Sequence, residues 1–125
     1  MEQEYILHNC NSFDPVHIFE CGQCFRWNKE IDGSYTGVFK SNVVNVKKEN
    51  DSVIFKGISQ GDLKQECIEY FDLERNYENI KSKLSKVDDN LKNSIKYGSG
   101  IRILNQDLWE TLISFIISAN NNIPR

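Results

Sequence analysis

Apolar positions change their spacing once along this chain, close to Gly57: they alternate at short range before it and recur every three or four residues after it, the periods of strand and helix respectively. Residues 5–10 (YILHNC) form a short apolar strand candidate, and Asn11, Ser12, Asp14 and Pro15 mark a turn behind it. Val16, Ile18 and Phe19 then suggest one buried helical turn ahead of Cys21 and Gly22. From residue 25 to residue 56, the runs FRWNKE, SYTGVFK, NVVNVKK and SVIFK are separated by Asp32-Gly33, Ser41-Asn42 and Asn50-Asp51. These dipeptides favour tight turns, so the segment reads as an antiparallel meander with one buried face, ended by Gly57.

The remainder reads as helical. Asp62 is a candidate cap for a helix through Phe71, with Gln65 three residues on as its reciprocal partner and Leu63, Cys67, Tyr70 and Phe71 on one face. A second helix is expected over about residues 76–84, carrying Tyr77, Ile80 and Leu84. A third covers about residues 88–97, with Leu91 and Ile95 inward and Gly98 as its stop. The lysines of these helices fall opposite the apolar stripes, on an expected solvated face. Asp107 caps the last helix, with Glu110 at its third position. Leu108, Trp109, Leu112, Ile113, Phe115, Ile116 and Ile117 make that helix apolar on most sides, so it requires neighbours to sandwich it. Sheet first and helices after gives the class α+β, an antiparallel β-sheet flanked by helices.

Composition narrows the class. With 125 residues, 39% apolar and 26% charged, the chain is an ordinary globular domain able to bury a core. A net charge of −3 argues for weak DNA binding by this segment alone, since phosphate contacts draw on Lys and Arg. The opening MEQEYILHNC is acidic and lacks an apolar core, so no secretory signal is expected and the cytosol is the default. The longest apolar stretch, residues 108–119, is broken by Glu110, Thr111 and Ser114 and falls short of the roughly 20 residues of a membrane helix. Cys10, Cys21, Cys24 and Cys67 read as reduced thiols.

Two stretches carry candidate chemistry. In residues 19–27 (FECGQCFRW), Cys21 and Cys24 form a CxxC that could be a redox pair or half of a zinc site. A thioredoxin-like pair opens a helix, whereas here a strand follows, and Cys10, Cys67, His8 and His17 lack the paired spacing of a closed zinc site. The alternative is two small semi-buried thiols at the lip of the sheet. In residues 118–125 (SANNNIPR), three asparagines end the apolar helix, Pro124 suits the first turn of a new one, and Arg125 lies on that turn. Short amides beside a guanidinium are what base-edge or phosphate recognition uses, and also what a capping loop uses.

Together, GQCFRW followed by a buried helix ending in SANNNIPR resembles the 8-oxoguanine DNA glycosylases of the helix-hairpin-helix superfamily, in order and over nearly the whole chain. The resemblance implies a TBP-like sheet-and-helix domain over residues 1–104, and over residues 105–125 the first helix and Asn-rich loop of a helix-hairpin-helix domain. It further implies a bifunctional repair enzyme that flips 8-oxoguanine out of double-stranded DNA, excises it, and cleaves the abasic strand by β-elimination. Gly22 matches the glycine whose carbonyl meets the N7–H of the lesion, Asn120 the residue that fills the vacated gap, and Arg125 the reader of the orphaned cytosine. Asn121 and Asn122 are expected to shape that loop, and Arg26 and Trp27 to pack and anchor the sheet. The family's catalytic lysine and assisting aspartate lie beyond the NNNI-x-R segment. No catalytic residue is therefore assigned here, the chain alone is expected to be inactive, and a fragment needing its carboxy-terminal catalytic domain is the expectation. No metal or cofactor is implied. A monomer is expected, in the cytoplasm (bacterial nucleoid) or the nucleus. A non-catalytic binding module or thiol-redox module is the rival.

Overall fold

A computed structural model of the chain describes residues 2–119. Five strands, β1 (Glu2–Leu7), β2 (Trp27–Lys29), β3 (Tyr35–Phe39), β4 (Asn42–Glu49) and β5 (Ser52–Ile58), form one sheet in the order β1-β5-β4-β3-β2. Every neighbouring pair is antiparallel. The expected meander is thus β2 to β5, and β1 returns to pair with β5, Tyr5 opposite Phe55. Helices α1 (Pro15–Phe19), α2 (Leu63–Tyr70), α3 (Tyr77–Ser85), α4 (Asp89–Tyr97) and α5 (Leu108–Ser118) complete the α+β architecture.

Alternation sets which face is inside. Trp27, Tyr35, Phe39, Val44, Val46, Val53 and Phe55 point into the core, and α1 and α2 cover that face with Ile18, Phe19, Leu63, Cys67 and Tyr70. Phe71, at the end of α2, is fully buried and touches the rings of Phe55, Trp27 and Phe13 at centroid distances of 5.3, 5.8 and 5.5 Å. Close offset and edge-on packing of this kind adds to simple area burial.

Several boundaries and partners differ from the sequence reading. The first strand covers residues 2–7, not 5–10: the chain leaves the sheet at Asn9, whose φ of +55° lies in the left-handed region that Asn tolerates. The β3–β4 turn is at Lys40 and Ser41, and Asn42 already belongs to β4. Gly57 lies inside β5, where a Cβ would come within 2.0 Å of the Val43 carbonyl oxygen. Val16 is exposed; Pro15, Ile18 and Phe19 are the buried residues of α1. Asp62 caps α2 through the Lys64 N–H, while Gln65 bonds Glu69 and closes no reciprocal box. Lys81 is not on a solvated face; its ammonium donates to the Ser99 carbonyl at 2.8 Å and to Glu78.

Helix α5 is capped by Asp107, which accepts from the Glu110 N–H at 2.9 Å. Its apolar residues are not sandwiched by the described part of the chain: Leu108, Trp109 and Phe115 are 87%, 70% and 72% exposed. No helix among the described residues is long and apolar enough to cross a membrane.

Candidate functional site

The loop between α1 and β2 is closed at its base by two rings. Phe19, the last residue of α1, stacks on Trp27, the first of β2, at 4.3 Å. Trp27 is also held by its indole N–H, which donates to the Tyr70 hydroxyl at 3.1 Å, and it lies against Gly37, where a Cβ would come within 2.2 Å of the indole. The expected anchoring role of Trp27 is met in the core. Arg26 instead reaches outward to α5: its Nη1 donates to both carboxylate oxygens of Glu110, at 3.0 and 3.2 Å.

Between those rings the backbone has little support of its own. Backbone hydrogen bonding stops where the Glu20 N–H meets the Val16 carbonyl and resumes where the Arg26 carbonyl accepts from Val38. Side-chain amides fill the interval. Gln23 Nε2 donates to the Ile18 carbonyl at 3.1 Å and to the Arg102 carbonyl at 2.8 Å, while its Oε1 accepts from the Leu104 N–H at 3.1 Å. The Gln23 carbonyl in turn accepts from Gln106 Nε2 at 2.5 Å.

Gly22 stands at the exposed tip of this loop with φ +88°. The space a Cβ would occupy there is empty to 4 Å. Packing within the protein therefore does not demand glycine. The left-handed backbone does, because an L side chain adopts it only with strain, and an open tip without a side chain lets another molecule approach the main chain closely.

The two CxxC thiols sit in unlike surroundings. Cys24 is buried, and desolvation, followed by the charge of Cys21, pushes its pKa up to about 12. Cys21 is exposed, with its thiol 3.4 Å from the Ile18 carbonyl, and both are free. So Cys24 fits the semi-buried reading and Cys21 does not. Among the described residues, no group of three or more His, Cys, Asp and Glu is placed to hold a metal ion. Beside the loop, Val16, His17, Glu20, Cys21, Tyr97, Gly98 and Ile101 line a groove of about 390 Å³.

Two residues that pattern reading passed over organise the site. Arg102 is buried and donates to four carbonyls: Phe71 at 2.9 Å, Ser12 at 2.9 Å, Asp72 at 2.6 Å and Arg75 at 3.2 Å. Its guanidinium also lies 4.1 Å from the Tyr77 ring centroid. Burial lowers its pKa, opposed chiefly by Cys10, Tyr77 and Asp72. Gln23 is the second. A lone arginine inside the apolar run IRIL was the available signal for Arg102; a glutamine beside a loop glycine gave none. Asn120, Asn121, Asn122 and Arg125 lie outside the described residues, so only Gly22 of the expected site residues has a described position.

Similarity to known proteins agrees with this geometry. Residues 5–112 match the family model of the 8-oxoguanine DNA glycosylase, N-terminal domain. An N-glycosylase/DNA lyase of Saccharomyces cerevisiae is 31% identical over 123 residues, covering 88% of this chain and 32% of that protein. A structure of MBOgg1 with a low-affinity DNA ligand is 53% identical with a TM-score of 0.89, covering 97% of this chain and 42% of that one. The Clostridium acetobutylicum 8-oxoguanine glycosylase/lyase, solved with double-stranded DNA containing cytosine opposite 8-oxoG, is 46% identical with a TM-score of 0.88, covering 99% and 44%. The chain spans about a third of the length of the curated relatives it matches. By its five-stranded antiparallel sheet, its GQCFRW loop and these matches, the chain belongs to the 8-oxoguanine DNA glycosylase family, of which it carries the amino-terminal domain.

Proposed function

We propose that this chain is the lesion-facing, amino-terminal part of a DNA repair enzyme that flips 8-oxoguanine out of double-stranded DNA, excises it, and cleaves the abasic strand. The supporting observation is Gly22: exposed, left-handed, and open to 4 Å where a side chain would stand. 8-Oxoguanine bears a hydrogen on N7, and guanine a lone pair. A main-chain carbonyl at this tip accepts a hydrogen bond from the lesion and opposes guanine acceptor to acceptor. Leaving such a buried pair unsatisfied costs about 1–3 kcal/mol, roughly five-fold to over a hundredfold in selection. Asn120 fills the vacated gap in this reading, Arg125 reads the orphaned cytosine, and Asn121 and Asn122 shape their loop.

No residue of this chain is assigned the nucleophile, which is a lysine of the carboxy-terminal catalytic domain in this reading. The enzyme acts as a monomer on the chromosome, in a bacterial nucleoid or a nucleus. Borohydride trapping on a duplex with 8-oxoguanine opposite cytosine tests the assignment. The 125-residue chain forms no covalent adduct, whereas the polypeptide that joins it to its catalytic domain does. Capture by the short chain would place the nucleophile within it and overturn the division of roles.

A further inference from the structure

We infer that Gln23 is a positioning residue for lesion selection, acting through the Gly22 carbonyl; this rests on the reading of Gly22 given above. A peptide unit is planar, so the carbonyl of residue 22 shares a rigid plane with the nitrogen and Cα of residue 23. Whatever fixes Gln23 fixes the oxygen that Gly22 presents. Gln23 is held from both ends: its side-chain amide makes the bonds to Ile18, Arg102 and Leu104, and its own carbonyl receives Gln106. Residues 21–25 make no backbone–backbone hydrogen bond to any described residue, so this amide replaces the ladder that would otherwise set the plane.

The far side of the clamp is itself rigid. The 102–104 segment that receives Gln23 is tied to the core by the Arg102 guanidinium, bonded to Phe71, Ser12, Asp72 and Arg75. The Asn105 N–H adds a bond to the Tyr70 carbonyl at 2.9 Å. Glutamine is specified by chemistry: the site offers two carbonyls and one N–H, which need two donors and an acceptor on one planar group. An amide supplies both. Glutamate would turn an acceptor towards the Ile18 and Arg102 carbonyls, and alanine would release the loop. A Gly22 left free to reorient keeps its φ preference but samples carbonyl directions, and selection between a donor and an acceptor at N7 requires one direction.

The test uses the complete glycosylase carrying this segment and compares its affinity for three duplexes with cytosine on the opposite strand: 8-oxoguanine, guanine and an abasic-site analogue. Gln23→Ala is expected to reduce the preference for 8-oxoguanine over guanine by about tenfold, with abasic-site affinity held within about twofold. Gln106→Ala, which removes only the bond onto the Gln23 carbonyl, shows the same split in weaker form, and it carries the test if Gln23→Ala does not fold. An unchanged preference in both variants, or equal losses on all three duplexes, overturns the inference. Gly22→Ala separates the two levels. If it leaves the preference intact, the reading of Gly22 fails; if it collapses the preference while both glutamine variants keep it, only the clamp fails.

Discussion

Arg26 Nη1 bridges both carboxylate oxygens of Glu110, at 3.0 and 3.2 Å, and so ties the start of β2 to the first turn of α5 across 84 positions of sequence. Both side chains are well exposed, 48% and 39%. Solvent screening therefore limits the pair to about 0.2–1 kcal/mol. Arg26→Ala is expected to lower the unfolding free energy read from a urea titration by no more than that amount, and 0.5 M salt is expected to erase most of the difference. A loss above about 2 kcal/mol would mean that α5 depends on this contact for its placement.

The Trp27 ring leaves no room for a methyl group at Gly37, since a Cβ there would lie 2.2 Å from the indole and 2.7 Å from the Arg26 carbonyl oxygen. Gly37→Ala must push either a packed indole or a main chain aside, an overpacking penalty of about 1–3 kcal/mol. Thermal melting with tryptophan fluorescence reads both the loss and the displacement of the ring. An unchanged melting temperature would contradict this packing.

Arg102 serves four carbonyls with one planar group. Arg102→Met leaves those acceptors without a donor and should destabilise the chain by at least about 3 kcal/mol. Arg102→Lys should recover less than half of this, because a single ammonium has three hydrogens and no fork. Full rescue by lysine in a denaturant titration would show that charge alone matters there.

Burial pushes the pKa values of Cys24, Cys67 and Tyr70 up to about 12. Each folded value exceeds the unfolded one, so the folded state holds more protons between them. Stability is full below the unfolded thiol value, near 8.5, and is lost as pH rises towards 12. A falling urea midpoint between pH 8 and 11 is expected, and a flat one would contradict these burials. Thiol labelling at pH 8 should modify Cys21 first and reach Cys24 and Cys67 only on unfolding.

The fold was legible where local chemistry decides it. Turn residues such as Gly33, with φ +87°, and Asn50, with φ +55°, punctuate strands whose alternation fixes the inner face. Phe19 and Trp27 could be seen as apolar, but their stacking across a loop is a long-range fact that periodicity does not encode. The site was legible in part. The GQCFRW signature singled out Gly22 as a candidate, while the role of Gln23 depends on the Arg102 carbonyl and the Leu104 N–H, about 80 positions away. Helix α5 shows the other limit: its all-round apolarity requires neighbours, and nothing in the pattern states which elements provide them.

The interatomic distance from the Gly22 carbonyl oxygen to N7 of an extruded 8-oxoguanine, in a structure of the complete glycosylase on lesion DNA, tests the assignment most directly. A separation of about 2.7–3.2 Å is expected, the range of an N–H···O hydrogen bond. A lesion seated with N7 more than about 4 Å from that oxygen, or bonded there to another group, would contradict it.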